Sequence, residues 1–64
     1  MQNLPKYLTE REVSEFTRIG MKTLQQHRWK NKGIPFHKFG GTVRYSEEDV
    51  LQYMKNCRVE TEIA

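Results

Sequence analysis

The residues of this chain able to do covalent or metal chemistry are few and poorly spaced for it. Cys57 is the single cysteine, and the two histidines, His27 and His37, stand ten positions apart. A protein metal site needs Cys and His clustered at ligand spacing, so neither a metal nor any other cofactor is expected. Cys57 with His27 or His37 makes a nucleophile and base only if a third group orients the base, and no motif supplies one. Glu47, Glu48 and Asp49 adjoin a helix start, where carboxylates complement the helix dipole rather than form an acid–base pair. Gly40-Gly41 leads into a strand pattern, whereas a phosphate-cradling loop opens a helix. Catalysis is not expected.

What remains is the chemistry of long hydrogen-bond donors. Placed at about 100° per residue, Lys22, Gln25, Gln26, Trp29 and, near the edge, Lys30 share one side of a helix. Leu24, His27, Arg28 and Asn31 share the other, with Arg28 expected to carry its guanidinium outward to the edge. Glutamine can pair bidentately with adenine in the major groove, and lysine reaches guanine or phosphate. The glutamines read equally well as plain helix-forming surface. Trp29 has several open readings: packing in the core through a small change of helix phase, covering a hairpin, meeting a partner protein, or lying on DNA sugars.

Charge is distributed in blocks. The 64 residues carry a net charge of +3, which taken alone says little. From Phe16 to Ser46 there is no acid, while Arg18, Lys22, Arg28, Lys30, Lys32, Lys38 and Arg44 all fall inside that stretch. A long basic centre between acid-bearing flanks is the pattern of a polyanion-binding face, against the plainer reading of a solvated basic surface.

The elements that must hold these residues can be read from their ends. "LTEREV" starts a helix of about two turns: Thr9 caps it, Glu12 completes a capping box, and Leu8 and Val13 form a staple. Val13 and Phe16 give that helix an apolar pair. "TRIG" breaks it, with Ile19 as a buried anchor, and a second helix runs from Met21 to about Asn31. "FHKFGGTVRY" is a hairpin around a glycine turn. On it Phe36 and Lys38 face one way and His37 and Phe39 the other, and Phe39, Val43 and Tyr45 are expected to fix the sheet to the helices. "YSEEDV" starts a third helix, with Ser46 as cap, Asp49 as box partner and Tyr45 and Val50 as staple. It runs to about Asn56, which is expected to end it in the left-handed conformation. Its apolar face is Val50, Leu51, Tyr53 and Met54.

The fold class is therefore mostly α with a small β-hairpin, ordered helix, turn, helix, hairpin, helix. Residues 1–64 are expected to form one domain with a core at about 7–56 and a flexible tail at 57–64. A basic hairpin beside a helix-turn-helix is a wing, with Thr42 at its turn and Lys38 and Arg44 on its strands. Arginine suits the negative potential of a narrow minor groove; the plainer role for the hairpin is to cover the core. No apolar run is long enough to span a bilayer and no signal-peptide core is visible, so a cytoplasmic, nucleoid-associated protein is expected.

The stretches "YLTEREVSEF", "TLQQHRWKNKGIPFHKFGG" and "TVRYSEEDVLQYM" resemble the small winged helix-turn-helix DNA-binding domains of the excisionase family, related to the MerR type. The compound pattern "KGIPFHKFGGTVRYSEEDV" is the most specific part. The resemblance implies double-stranded DNA as ligand, with the second helix in the major groove and the wing in an adjacent minor groove. It places Met21, Lys22, Gln25 and Gln26 at the DNA-facing helix positions and Thr42 and Arg44 on the wing. Phosphate contacts are then expected from Arg18, Lys30, Lys32 and Lys38. Arg18 stands where the family usually has a turn glycine, Gly20 where it has a hydroxyl cap, and Trp29 where a polar residue is usual. The implied role is that of an excisionase (a recombination directionality factor) assisting a site-specific integrase. The alternatives are a small transcription regulator, or a protein-interaction module without DNA binding. With no coiled-coil segment after the third helix, a monomer in solution is expected, binding adjacent sites cooperatively.

Overall fold

The computed structural model of the chain describes residues 6–61. In chain order its elements are β1 (Tyr7–Leu8), α1 (Glu10–Thr17), α2 (Met21–Trp29), β2 (His37–Phe39), β3 (Thr42–Ser46) and α3 (Glu47–Asn56). Three helices and a small antiparallel hairpin appear in the expected order, with one addition. Strand β1 pairs with β3, Tyr7 opposite Ser46 and Leu8 opposite Tyr45, giving a sheet ordered β1-β3-β2. A two-stranded hairpin is marginal in water; here the third strand and the helices behind it secure one.

Helix α1 starts as its sequence requires. The Glu12 amide donates to Thr9 Oγ1 at 3.1 Å, and the Thr9 amide donates back to Glu12 Oε1 at 2.8 Å. That backbone bond holds the Glu12 carboxyl below its ordinary pKa. The helix ends on Arg18, whose φ of 65° is left-handed, and whose amide donates to Ser14 O at 2.8 Å. A side chain in this conformation is strained, and hydroxyls on both sides hold the turn. Ser14 Oγ donates to Ile19 O at 2.7 Å, and Thr17 Oγ1 accepts from the Ile19 amide at 3.2 Å. Ile19 itself is half-buried rather than fully enclosed.

Helix α2 is two residues shorter than its pattern suggests. Lys30 forms the cap, and the chain reverses through Asn31 at φ 52° and Gly33 at φ 85°. Asparagine tolerates this conformation better than most residues, which explains the early stop. Gly33 is required twice over. Besides its positive φ, a Cβ there would lie 2.7 Å from His27 Nδ1 and 2.8 Å from His27 Cβ. The His27 Nδ1 it covers is buried and has no hydrogen-bond partner among the described residues.

In the hairpin, His37 pairs with Arg44, Lys38 with Val43 and Phe39 with Thr42. Gly40 alone in the two-residue loop takes a positive φ, 64°, the pattern of a type II′ turn. Directly paired residues share a face, so Leu8, Tyr45 and Val43 turn inward while Tyr7, Arg44, Thr42, His37 and Phe39 turn outward. Phe39 therefore does not fix the sheet to the helices. It is exposed and meets Tyr7 edge-on at 5.6 Å between ring centroids, with His37 stacked at 6.1 Å.

The third helix keeps half of its expected box. Ser46 Oγ accepts from the Asp49 amide at 3.0 Å, and among the described residues the Asp49 carboxylate makes no return bond to the Ser46 amide. That carboxylate instead lies 3.7 Å from His37 Nε2. The helix closes on Cys57, which has right-handed backbone and whose amide donates to Tyr53 O at 3.0 Å, so Asn56 is not its left-handed terminator. Residues 62–64 of the expected tail lie outside the described residues.

Val13, Leu24, Ile34, Tyr45 and Val50 form the buried core, flanked by half-buried Leu8, Ile19, Phe36, Val43 and Tyr53. Phe16, Leu51 and Met54, expected on apolar faces, stay exposed, because a chain this short encloses little volume. Among the described residues no helix is long and apolar enough to cross a membrane. Gly33→Ala should lower stability by about 1–3 kcal/mol in urea unfolding. Gly41→Ala, where an added Cβ meets nothing within 4 Å, should change it far less.

Candidate nucleic-acid interface

One carboxylate sets the angle at which α2 is presented. Glu10, at the first turn of α1, accepts from Arg28 Nε at 2.8 Å through Oε2 and from Arg28 Nη2 at 3.4 Å through Oε1. The Tyr45 hydroxyl donates to the same Oε2 at 2.9 Å. Arg28 also lies over the Phe36 ring, Cζ 5.9 Å from its centroid, and Phe36 meets Tyr45 at 6.4 Å. The second helix, the first helix, the loop before β2 and strand β3 thus converge on the Glu10–Arg28 pair. Arg28 does not run out to solvent: its side chain is 18% exposed and that of Glu10 12%.

The protonation of this cluster follows from its surroundings. Burial would raise the Glu10 pKa, but the hydrogen bonds from Arg28 and Tyr45, the nearby Gln25 side chain and the charge of Arg28 outweigh it. The carboxyl therefore sits below its ordinary value of 4.5. Burial, and then the bond to Glu10, push the Tyr45 hydroxyl up to about 12, which keeps it a donor. The bond to Glu10 raises the Arg28 guanidinium against the cost of desolvation.

Around this fixed point the expected contact residues are distributed over three segments. Met21, Lys22 and Gln26 are exposed on α2, while Gln25 is half-buried on the Glu10 side. Arg18 projects from the turn before α2; Lys30 and Lys32 follow its end and are exposed. Lys30 is a cap residue and not part of the helix. Thr42 and Arg44 share the outer face of β3, while Lys38 pairs with Val43 and so belongs to the opposite face, where it is nonetheless exposed. Arg44 is half-buried and its Nη1 donates to Val43 O at 2.7 Å. Trp29 is 76% exposed, which excludes the core reading.

Of the seven cations between Phe16 and Ser46, Arg28 is neutralised internally. Arg18, Lys22, Lys30, Lys32, Lys38 and Arg44 form no ion pair among the described residues. Six free cations thus surround α2 and the hairpin. The profile of the helix-turn-helix domain family matches residues 7–58. The chain belongs to that family. Neither a curated protein nor a solved structure matches it significantly. Membership supports a DNA-binding function for this helix-turn-helix domain, and it covers both helices, the hairpin and the third helix.

Reading the sequence alone missed Glu10, the Tyr45 hydroxyl and the sheet's outer aromatic face. By its position in the first turn of α1, Glu10 reads only as a complement to the helix dipole. A signal for its second role exists: an arginine on the inward side of α2 requires a carboxylate, because an unpaired buried charge is prohibitively costly.

Glu10→Gln should cost about 1–2 kcal/mol at neutral pH, since a charge-assisted pair becomes a neutral one. Because the folded Glu10 pKa lies below its unfolded value, its stabilisation is complete above pH 4.5 and lost as pH falls through the folded pKa. Urea titrations between pH 7 and 3 should show the two proteins converging in acid. At the basic end, Tyr45 contributes fully below pH 10.0 and loses its contribution as pH rises through about 12, a loss that Tyr45→Phe should lack.

Proposed function

We propose that this helix-turn-helix domain is a sequence-specific double-stranded-DNA-binding protein of the excisionase kind. In this reading α2 enters the major groove and the hairpin lies as a wing along an adjacent minor groove. Lys22, Gln25 and Gln26 read base edges from the helix, with Met21 beside them. Arg18, Lys30, Lys32 and Lys38 hold phosphates, and Arg44 with Thr42 makes the wing contact. The observation that carries it is the set of six cations around α2 and the hairpin that form no ion pair among the described residues. A surface that merely stayed soluble would mix the two signs along its length.

The mechanism is architectural. A monomer in free solution binds adjacent sites and shapes the DNA for a site-specific integrase, supplying orientation instead of chemistry. Excision is the role implied by the resemblance of the "KGIPFHKFGGTVRYSEEDV" pattern, and the same DNA contacts would serve a small transcription regulator. Footprinting tests that step: protection of DNA flanking an integrated element, with integrase-dependent excision in its presence, is expected. Protection of a promoter alone would replace the excisionase reading with transcription regulation.

With about four to six phosphates neutralised, affinity should fall roughly 10²- to 10³-fold between 50 and 200 mM salt. Fluorescence anisotropy of a labelled duplex measures this, and a flat salt response would overturn the DNA reading. Gln26→Ala should narrow the gap between specific and non-specific affinity by about 1–3 kcal/mol. Arg44→Ala should reduce affinity with little change in melting temperature; a collapse in melting temperature would make Arg44 structural.

A further inference from the structure

The fold makes no use of the chain's only tryptophan. Trp29 lies outside the core, and among the described residues it enters no ring–ring or cation–ring contact. It is 76% exposed at the last position of α2. Its angular position is informative. Seven residues after Lys22, it lies about 20° from that side chain and about 10 Å further along the axis. Gln25 and Gln26 flank it on the two sides of the same stripe. Its neighbours in sequence beyond the helix are Lys30 and Lys32, and no acid occurs within the surrounding stretch.

We infer that Trp29 is an apolar DNA anchor, its indole lying on the aliphatic surface of the duplex in or beside the major groove. The inference rests on the DNA-binding reading above. A groove about 12 Å wide that admits Lys22 and Gln26 also takes in a residue on the same stripe two turns along. The aliphatic groups offered there are the 5-methyl of thymine and the carbons of deoxyribose. Lysines at positions 30 and 32 supply charge for the flanking phosphates, so the indole is pressed against DNA by the contacts that neutralise the backbone. A large ring with few rotatable bonds provides contact area at low entropic cost.

The test uses the intact protein and a mixed-sequence 30-base-pair duplex, followed both by tryptophan emission and by anisotropy of a fluorescein label. A tryptophan at the interface changes its emission on binding. Trp29→Ala should weaken affinity by about 5- to 100-fold at fixed salt, without changing the salt slope or the melting temperature. Trp29→Phe should recover much of the loss. A duplex with deoxyuridine in place of thymine separates the two sources of aliphatic contact. Weaker binding by the wild type but not by Trp29→Ala assigns the methyl group, and equal binding assigns the sugar. If anisotropy reports salt-sensitive binding while emission stays constant and Trp29→Ala binds like the wild type, the anchor is overturned and the DNA reading stands. Trp29 would then face a protein partner. If the duplex does not bind even at low salt, both are overturned.

Discussion

The geometry of this domain depends on one carboxylate accepting three hydrogen bonds. Glu10 takes two from Arg28 and one from Tyr45, and those three residues belong to α1, α2 and β3. Helix α2 contributes a single fully buried side chain, Leu24, and packs broadly only on α1. One apolar contact can seat a helix but leaves its rotation and tilt loosely determined. A planar guanidinium bound through two nitrogens determines both, because its hydrogen bonds demand direction as well as distance. The angle between α2 and the hairpin, on which simultaneous occupation of two grooves would depend, is thus set by polar geometry as much as by hydrophobic packing.

The same pair divides the protein's charge. Within the acid-free stretch Arg28 is the cation brought inward, and the acid that meets it comes from α1, outside that stretch. The other cations of that stretch form no ion pair among the described residues and remain available to external anions. The hairpin shows a parallel division between its two faces. Tyr45 and Val43 hold it to the core, while Thr42 and Arg44 alternate with them and point away. Strand period alone accomplishes this. The short strand β1 protects the other edge of β3 and carries Leu8 into the core, so the hairpin need not be stable by itself.

Much of this was legible in the sequence where the cause is local. The Thr9–Glu12 box, the Gly40-Gly41 turn and the Ser46 cap each follow from side chains within three residues of one another, and each is present. Non-local causes left weaker marks. Phe39 reads as core because it is aromatic, but its pairing with Thr42 puts it on the outer face, and only the register reveals that. Strand β1 is two residues long, too short for any periodicity. The Glu10–Arg28 pair spans 18 positions, with no repeat to advertise it. The end of α2 was misread by two residues because Asn31 satisfies the helical pattern while its backbone has already turned left-handed.

Those two residues matter for the candidate interface. A helix continued to Asn31 would keep Lys30 on its side and direct Asn31 inward with Leu24. Stopping at Trp29 instead makes Lys30 a cap, and the left-handed residues Asn31 and Gly33 return the chain toward Ile34 and the core. The tight approach of Gly33 to His27 locks that return. The helix accordingly ends on its largest exposed side chain, with cations on the reversing loop immediately beyond. Such a tip combines apolar area with charge at one point, whereas the middle of the helix offers only amides and a lysine. The terminus of α2, with its own backbone reversal, therefore belongs to the candidate interface as fully as the stripe of donors that precedes it.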